Sequence, residues 1–282
     1  MRQKTIKSPT TLEGVGLHTG AGVKVVLAPA PENTGRVFIR TDLANRPQIP
    51  ASDRFLGMGD LYRRTTLQLS EEIKLHTVEH LMAALAALGV DNVIMEIGGD
   101  ELPFFDGSSL PFVEALERAG LVEQEADVRF VDLQKPLLYT DGPVEILALP
   151  ADGLRLTFFV DYDDKVIGRQ SLSFRMDTET FRREIAPART YVFMKDVEPL
   201  RQAGLIKGGS LDSAVVIAED RIVNDELRFP DEIVRHKLLD LLGDLALLGA
   251  PLHAHVMAVR SGHQSHAAFL KLLRKEVGPH VV

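Results

Sequence analysis

A helix-like stretch occurs twice in this chain, as His76-Thr-Val-Glu-His-Leu-Met-Ala-Ala-Leu-Ala-Ala-Leu-Gly89 and as His236-Lys-Leu-Leu-Asp-Leu-Leu-Gly-Asp-Leu-Ala-Leu-Leu-Gly249. Each copy is rich in apolar residues and stops at a glycine, which is typical of an apolar helix with a C-terminal cap. Two such helices can resemble each other by chance, so we ask whether the sequences that flank the two copies are also similar, as a duplicated domain would require.

The sequence around the two copies also matches. Each copy is followed by a strand-like run, Asn92–Ile97 or His253–Val259, then by a Gly/Ser loop and an amphipathic helix, Leu110–Arg118 or Ala267–Lys275. Several β-like runs precede each copy: Lys24–Leu27, Val37–Arg40 and Arg64–Leu69 before the first, and Val144–Leu149, Leu154–Val160 and Ser171–Phe174 before the second. These parallels favour a true duplication.

We therefore predict an α+β protein of two related domains, each a mainly antiparallel sheet layered against two helices. The predicted boundaries are residues 1–127 and 128–282, with an inserted segment near residues 193–225 in the second domain. We expect the helix layers to pack together and the active site to lie at the domain interface, a common place for ligand pockets.

Composition excludes several classes of protein. The 282 residues include 32 Lys+Arg, 40 Asp+Glu and no cysteine, for a net charge of −8. Without cysteine there are no disulfides, thiolate zinc sites, iron–sulfur clusters or cysteine nucleophiles, so any metal is held by His, Asp or Glu. The acidic balance disfavours nucleic-acid binding. The longest clean apolar stretch, Leu81–Leu88, is far shorter than the ~20 residues that span a bilayer. We expect a cytoplasmic monomer with no nucleic-acid partner and no stable membrane insertion.

The first copy contains two histidines that could share a ligand. On a helix, His76 and His80 lie on one face and are both able to reach a single metal ion. Glu79 directly precedes His80, so the order differs from the His-Glu-x-x-His motif. Two histidines on a helix surface are the alternative interpretation.

The second copy carries a narrow polar stripe. His236, Asp240 and Asp244 follow at steps of four residues, which places them on one slowly drifting line along a helix, and Lys237 lies beside it. A solvent-facing stripe with weak side-chain pairs is one interpretation. However, the helix is otherwise apolar nearly all round, which indicates burial, and buried charges are usually paired or bound to metal.

A third histidine begins the helix that follows the last strand. In Ser261-Gly262-His263, the helix N-terminus disfavours the imidazolium and a nearby carboxylate would favour it. This competition is able to bring the histidine pKa near neutrality, which suits a general acid. A loop histidine with satisfied hydrogen bonds is the alternative.

Two glycine-rich segments give weaker signals. Gly14-Val-Gly16-Leu-His18-Thr-Gly20 lacks the strand-then-helix context of a dinucleotide site. Gly208-Gly209-Ser210 is either a turn that offers backbone N–H groups to a phosphate or a plain turn. The chain has no phosphate-binding Gly-Lys-Ser/Thr loop and no Gly-x-Ser-x-Gly elbow, which disfavours kinases and serine hydrolases.

Taken in order, the motifs resemble those of the UDP-3-O-acyl-N-acetylglucosamine deacetylases, the zinc enzymes of lipid A synthesis in Gram-negative bacteria. The resemblance spans nearly the whole chain and rests on Gly14-Val15-Gly16-Leu17-His18, Thr77-Val78-Glu79-His80-Leu81, Asp106-Gly107-Ser108, Ala188-Arg189-Thr190, Gly208-Gly209-Ser210, His236-Lys237-x-x-Asp240-x-x-Gly243-Asp244 and Gly262-His263. It implies two domains of like topology with the site between them. It also implies hydrolysis of the N-acetyl group of a UDP-sugar that bears one 3-O-acyl chain, with release of acetate.

The resemblance further implies a role for each site residue. His80, His236 and Asp240 would bind one catalytic Zn²⁺, with Fe²⁺ as an alternative in the cell, and would leave one position for water. Glu79 would be the general base, and His263, oriented by Asp244, would protonate the leaving amine. Thr190 and His263 would stabilise the oxyanion.

The remaining implied roles concern the substrate. Lys237 and Tyr191 would contact its phosphate and sugar, His18, Gly208, Gly209 and Ser210 would also bind it, and the segment around residues 204–216 would take the acyl chain. His76 is not a ligand in this pattern, and the family usually has Ser or Thr there.

Two rival functions remain open at this point. One is a zinc hydrolase of a different acylated sugar that uses the same site. The other is a metal-stabilised binding domain without turnover, in which Glu79 would have no chemical role. Release of acetate from the UDP-sugar separates both from the deacetylase.

Overall fold

The structure is a computed structural model and describes residues 1–59 and 61–278. The last four residues of the predicted second domain therefore lie outside the described residues. In the part of the chain that is described, no helix is long and apolar enough to cross a membrane.

The first half of the chain builds a five-stranded main sheet, two short two-stranded pairings and the helices α1 and α2. Its elements are β1 (Arg2–Ile6), β2 (Thr10–Val15), β3 (Gly22–Pro29), β4 (Arg36–Arg40), β5 (Gln48–Pro50), a 3₁₀ turn (Asp53–Phe55), β6 (Thr66–Gln68), β7 (Lys74–His76), α1 (Glu79–Ala87), β8 (Val93–Ile97), α2 (Leu110–Ala119) and β9 (Leu121–Asp127).

The second half repeats this plan with a longer insertion. Its elements are β10 (Val131–Asp132), β11 (Leu137–Asp141), β12 (Val144–Pro150), β13 (Leu154–Asp161), β14 (Arg169–Arg175), α3 (Thr178–Thr180) with a π-helical turn (Phe181–Ile185), β15 (Tyr191–Phe193), α4 (Met194–Gln202), β16 (Val215–Ile217), α5 (Glu232–Leu245) with a 3₁₀ turn (Ala246–Leu248), β17 (Leu252–Val259) and α6 (His263–Val277).

The two main sheets have the same strand order. The first runs β2-β3-β8-β4-β5, and the second runs β11-β12-β17-β13-β14 with β10 added beside β17. In each sheet the strand after the long helix pairs in parallel with one neighbour, β8 with β4 and β17 with β13, and the other pairs along the path are antiparallel. This equivalence confirms the predicted α+β class. The boundary between residues 127 and 128 stays a prediction.

Helices α1 and α5 pack directly against each other between the two sheets. A methyl group at Gly243 of α5 would lie 2.1 Å from the carbonyl oxygen of Glu79, so glycine permits the close approach of the two backbones. Burial from both sides explains why each helix is apolar nearly all round. The N-terminal start of α1 therefore lies against the C-terminal half of α5.

Each half carries an insertion before its central helix. The first insertion contains the β6–β7 hairpin, and the second runs from α3 to β16 and includes the parallel pair β15–β16. Because they precede α1 and α5, both insertions lie beside the N-terminal regions of these helices. They supply further residues to the site.

One local prediction is wrong. The first repeat stretch does not begin its helix at His76, because α1 starts at Glu79 and His76 is the last residue of β7, paired with Thr66. Thr77 lies between strand and helix with φ of 61°, a left-handed conformation that interrupts any helix from His76. His76 and His80 therefore do not share a helix face.

Candidate active site

Three predicted ligands meet where α1 crosses α5. His80 Nε2 lies 3.9 Å from Asp240 Oδ1, and His236 Nε2 lies 3.3 Å from the same oxygen. One ligand atom from each of the three residues lies within 4.8 Å of the others, and all three side chains are buried. The pair on α5 and the single histidine on α1 thus form a compact donor set across the two halves.

The chemistry of this donor set fits a divalent transition-metal ion. His236 Nδ1 lies 3.1 Å from the carbonyl oxygen of Ala188, which only accepts hydrogen bonds, so Nδ1 carries the proton and Nε2 keeps its lone pair. Burial lowers the pKa of His80 to about 3 and also lowers that of His236, so both imidazoles are neutral, as ligation requires. Three nitrogen and oxygen donors leave a fourth position open.

The third donor is an anion. Burial by itself raises the pKa of Asp240, but His236, Lys237 and His263 outweigh it and hold that pKa well below its usual range. The Lys237 ammonium donates to Asp240 Oδ2 over 3.1 Å. Asp240 is therefore ionised in the site.

Glu79 begins helix α1 directly beside the donor set. Its Oε2 accepts the backbone N–H of Thr65 over 3.0 Å. Burial raises the pKa of Glu79 to about 8, with Asp244 and Asp240 raising it further and His263 opposing. A carboxylate with a raised pKa suits a general base near neutral pH.

His263 also lies beside the donor set. Its Nδ1 lies 2.8 Å from Asp244 Oδ2, and its Nε2 lies 4.0 Å from Asp240 Oδ2. Burial opposes the imidazolium, but Asp244, Asp240 and Glu79 outweigh it and raise the pKa of His263 to about 9. A protonated His263 held by Asp244 is arranged as a general acid.

Two residues of this network escaped the sequence analysis. Thr65, in the first insertion, contacts Glu79 through its N–H, while its hydroxyl contacts Asp244 and lies 3.0 Å from His263 Nδ1. His266 Nδ1 lies 2.7 Å from Asp244 Oδ2. His266 follows His263 by three residues on one helix, and this spacing was a usable signal for His266. Nothing in the sequence marks Thr65.

The segment Ala188–Thr190 lies against the loop that contains Gly107. The N–H of Thr190 donates to the Gly107 carbonyl over 2.9 Å, and Gly107 has φ of 76°. A methyl group at Gly107 would lie 1.8 Å from the carbonyl oxygen of Ser213. Two motifs that are distant in sequence, Asp106-Gly107-Ser108 and Ala188-Arg189-Thr190, thus fit together and place Thr190 at the site.

A cavity of about 1110 Å³ opens from the donor set. Its lining includes apolar residues of the second insertion: Phe193, Met194, Val197, Leu200, Ile206, Leu211, Ala214 and Val216. Charged and polar residues line it too: Asp163, Asp164, Lys195, Asp196, Arg201, Arg260 and Ser261. His263, Asp240, Lys237 and Thr190 also belong to the lining, so the site opens into a cavity whose walls carry both apolar and polar groups.

Most of the predicted substrate-binding residues line this cavity. Tyr191 does, and its hydroxyl lies 2.5 Å from that of Tyr162. His18, Gly209 and Ser210 line it as well. Lys237 is only 8% exposed and lies near the ring of Phe158 as well as Asp240, so the interpretation of the α5 stripe as solvent-facing is wrong.

The Gly208-Gly209-Ser210 segment does not offer free amides. The N–H of Gly208 donates to Leu17 O, that of Gly209 donates to Ile206 O, and that of Ser210 donates to Ser213 Oγ. A methyl group at Gly208 would lie 2.3 Å from the carbonyl oxygen of Gly16, so this glycine packs against the other glycine-rich motif. The interpretation as a phosphate-binding amide cradle is therefore wrong, and the backbone forms a plain turn.

His76 lies outside the donor set. Its ring Nδ1 lies 2.9 Å from the hydroxyl of Thr66, and its backbone N–H donates to the carbonyl oxygen of Asp100 over 2.8 Å. The helical pairing of His76 with His80, considered from spacing alone, is therefore wrong.

Comparison with known proteins gives one consistent family. The family model described as "UDP-3-O-acyl N-acetylglycosamine deacetylase" (LpxC) matches residues 3–275. A UDP-3-O-acyl-N-acetylglucosamine deacetylase of Saccharophagus degradans is 41% identical over 280 residues, which are 98% of this chain and 91% of the relative. One of Myxococcus xanthus is 44% identical, covering 97% of this chain and 85% of the relative. The chain also matches a bifunctional enzyme LpxC/FabZ of Chlorobaculum tepidum at 40% identity, over 98% of this chain and 64% of that protein. These matches bear out the resemblance carried by the motifs, and this chain belongs to the UDP-3-O-acyl N-acetylglycosamine deacetylase family.

Proposed function

We propose that this protein hydrolyses the N-acetyl group of a UDP-3-O-acyl-N-acetylglucosamine and releases acetate, an early step of lipid A biosynthesis. The observation that carries the proposal is the grouping of His80, His236 and Asp240 with a buried carboxylate, Glu79, and with the His263–Asp244 pair. The deacetylase names of relatives that cover nearly the whole chain support the same reaction.

The ion that we propose for the donor set is Zn²⁺, with Fe²⁺ as the alternative in the cell. Two imidazoles and one carboxylate suit either ion. When bound, such an ion supplies a Lewis acid that lowers the pKa of water and polarises a carbonyl.

Glu79 then takes the proton of the water that attacks the amide carbonyl. Its carboxylate is held by the N–H of Thr65 and is screened from solvent. Burial raises its pKa to about 8, so it is a stronger base than an exposed glutamate.

His263 gives its proton to the amine as the carbon–nitrogen bond breaks. An amine is a poor leaving group until it is protonated, which is why the reaction needs an acid as well as a base. Asp244 holds the imidazolium through Nδ1 and directs Nε2 toward the donor set. Thr190 and His263 face the cavity, where they would stabilise the negative oxygen of the tetrahedral intermediate.

The mixed lining of the cavity suits the two ends of the substrate. Its apolar residues, among them Phe193, Leu200 and Ile206, would take the 3-O-acyl chain. The nucleotide would lie beside Arg260, with Lys237 and Tyr191 near the phosphate and sugar and with His18, Gly209 and Ser210 along the wall. Gly208 would act only by shaping the turn. Lys237, paired with Asp240, would contribute to catalysis as well as binding.

We also propose that the protein acts in the cytoplasm as a monomer, without nucleic-acid partners and without stable insertion in a membrane. The net charge of −8 disfavours nucleic acids and acidic lipid surfaces. The reaction itself needs only the acylated UDP-sugar, water and the bound ion.

Release of acetate from UDP-3-O-acyl-N-acetylglucosamines of several chain lengths, measured on protein of known zinc and iron content, tests this function. We expect turnover that depends on the metal and on chain length. Lys237→Ala should retain metal but raise KM or lower kcat, and Lys271→Ala, at an exposed position about two turns beyond His263 on α6, serves as its control. Metal-loaded protein that releases no acetate would contradict the proposal and would favour a binding domain or a different acylated sugar.

A further inference from the structure

Glu232 is a buried carboxylate that the chemistry above does not use. It is the first residue of α5, one turn before His236, and its solvent exposure is 0%. Its Oε1 accepts the backbone N–H and the Nε–H of Arg189, each over 2.9 Å. Its Oε2 accepts the N–H of Arg228 over 2.8 Å and an Nη2–H of Arg189 over 3.3 Å. Four donors thus converge on one side chain.

These bonds fix the position of the segment next to Arg189. Because Glu232 holds both the backbone and the guanidinium of Arg189, the residue has little freedom to rotate. Its neighbours on either side each contact the site. The Ala188 carbonyl accepts the Nδ1–H of His236, and Thr190 lines the cavity with its N–H bonded to Gly107 O.

The direction of the Ala188 carbonyl determines which nitrogen of His236 is able to bind metal. While the carbonyl accepts from Nδ1, the lone pair stays on Nε2, the atom 3.3 Å from Asp240 Oδ1. A rotated carbonyl would release this constraint, and the imidazole would be free to flip or change tautomer. Glu232 therefore acts on a ligand that it does not touch.

A role in stability alone does not account for this arrangement. A buried ion pair adds little net stability compared with apolar side chains of the same volume, whereas its directional bonds define one geometry. Here these bonds fix the geometry of a proposed metal ligand, His236, and of Thr190, the residue proposed to stabilise the oxyanion.

We propose that Glu232 is a positioning residue, which through Arg189 sets the tautomer of His236 for metal binding and holds Thr190 at the reacting carbonyl. This inference rests on the proposed function and deepens it, because it assigns a residue outside the donor set to the assembly of the metal site.

The test compares wild type with Glu232→Gln and Arg189→Lys in the full chain. Glutamine keeps the shape but places an amide against the guanidinium, and lysine keeps the charge but loses the planar fork. The control is Glu117→Gln, which removes the carboxylate of an exposed ion pair with Arg182. For each protein we would measure the dissociation constant of Zn²⁺ by chelator competition, the visible spectrum of the Co²⁺ form, kcat and KM, and the melting of the apo form.

We expect Glu232→Gln and Arg189→Lys to weaken Zn²⁺ binding by about 10–100-fold, as loss of an orienting partner typically does. We also expect an altered Co²⁺ spectrum and a fall in kcat that exceeds any change in KM. Glu117→Gln should match wild type in all four measurements. A role in folding alone would lower the melting temperature but would leave the Zn²⁺ affinity and the Co²⁺ spectrum of the folded fraction unchanged, and that result would overturn the inference.

Other outcomes separate this inference from the proposed function. If Glu232→Gln does not fold, an unchanged Zn²⁺ affinity in Arg189→Lys overturns the inference and a weakened one supports it. Wild type that binds Zn²⁺ but releases no acetate would overturn the proposed reaction, while the shifts in affinity and spectrum would still support the role of Glu232. Wild type that binds no metal would overturn both.

Discussion

Helices α1 and α5 occupy the same place in two halves of equivalent strand order, yet they contribute unequally to the site. In the repeated sequence, His76 corresponds to His236 and His80 corresponds to Asp240. In the second half both His236 and Asp240 belong to the donor set. In the first half only one of the two corresponding residues does, His80, while His76 contacts Thr66. The number of ligands from each half is therefore decided by where the helix begins, and not by which residue types the repeat contains.

The start of each helix is set by its surroundings. In the first half, the N–H of His76 donates to Asp100 O, the Thr77 hydroxyl donates to Glu101, and Thr77 has φ of 61°. These contacts keep His76 in β7 and Thr77 out of the helix, so α1 starts only at Glu79. In the second half, α5 already starts at Glu232, so His236 and Asp240 lie on successive turns.

Among the substitutions that test this comparison, removal of the His236 side chain has the largest expected effect on metal content and activity. We expect His236→Ala to lose the bound metal and all measurable activity, because two donors and no third ligand hold zinc poorly. Metal analysis of the folded variant, checked by circular dichroism, provides the measurement. Retention of metal by His236→Ala together with its loss in His76→Ala would reverse the assignment of the two halves.

The Glu79→Gln substitution tests the chemical role that only the first half supplies. The position that corresponds to Glu79 in the second copy is Leu239, so no second base replaces it. We expect kcat to fall by about 10²–10⁴-fold with the metal retained. Glu114→Gln, on the exposed face of α2, is the control. A Glu79→Gln enzyme with more than about a tenth of the wild-type kcat would rule out the base.

The pH profile tests the acid that the second half supplies. Activity requires Glu79 ionised, with a pKa of about 8, and His263 protonated, with a pKa of about 9. kcat/KM therefore rises as Glu79 loses its proton and falls as His263 loses its own, and a bound cation beside Glu79 moves the rising limb to lower pH. His263→Ala should lower kcat by about 10²–10⁴-fold and remove the falling limb. A falling limb that persists unchanged would assign the acid to another group.

Substitution at the contact between α1 and α5 is expected to have a smaller effect, and that effect is on stability. Gly243 corresponds to Ala83 in the first copy, and Gly243 is the residue of α5 whose Cα lies against the Glu79 carbonyl. Gly243→Ala should cost about 1–3 kcal/mol of unfolding free energy because the added methyl forces the helices apart. Ala83→Gly should cost about 1 kcal/mol through helix propensity. Urea unfolding of the two variants measures both, and a Gly243→Ala protein as stable as wild type would mean that the helices separate freely.

His76→Ala should have the smallest effect on activity. It removes the hydrogen bond to Thr66, which stabilises the β6–β7 hairpin by about 0.5–1.5 kcal/mol. We expect full metal content and a kcat within tenfold of wild type, which corresponds to ~1.4 kcal/mol. Zinc analysis and steady-state kinetics on the same preparation measure this. A larger loss would connect the hairpin to catalysis through Thr65.

Much of the fold was accessible from sequence because its signals are local. The strand-like runs, the two apolar helices and the order of elements in each copy follow from hydrophobic periodicity and glycine caps. The start of α1 was not accessible, because Asp100 and Glu101, which hold His76 and Thr77 out of the helix, are distant in sequence. A four-residue spacing predicts a shared face only if the helix is already known to cover both residues.

The residues of the site likewise fall into those that the sequence marks and those that it does not. His80, His236, Asp240, Asp244 and His263 stand out as ionisable residues in apolar or glycine-flanked settings, and the structure brings all five together. Thr65 is an ordinary residue that becomes important only where the first insertion folds over α1. The sequence left open whether Gly208-Gly209-Ser210 offers amides to a phosphate or forms a plain turn, because composition does not reveal whether an amide already has an acceptor within the protein.

The pairing of β1 with β9 bears on how the protein forms during synthesis. It joins the first strand of the chain to Leu121–Asp127, so each strand of the first half finds its partner within residues 1–127. At about 5–20 residues per second, translation needs roughly 5–21 s more to reach Glu232, where α5 begins. During that interval the nascent chain displays α1 without α5, an apolar surface of the kind that chaperones recognise. The catalytic apparatus is complete only when the last helix leaves the ribosome.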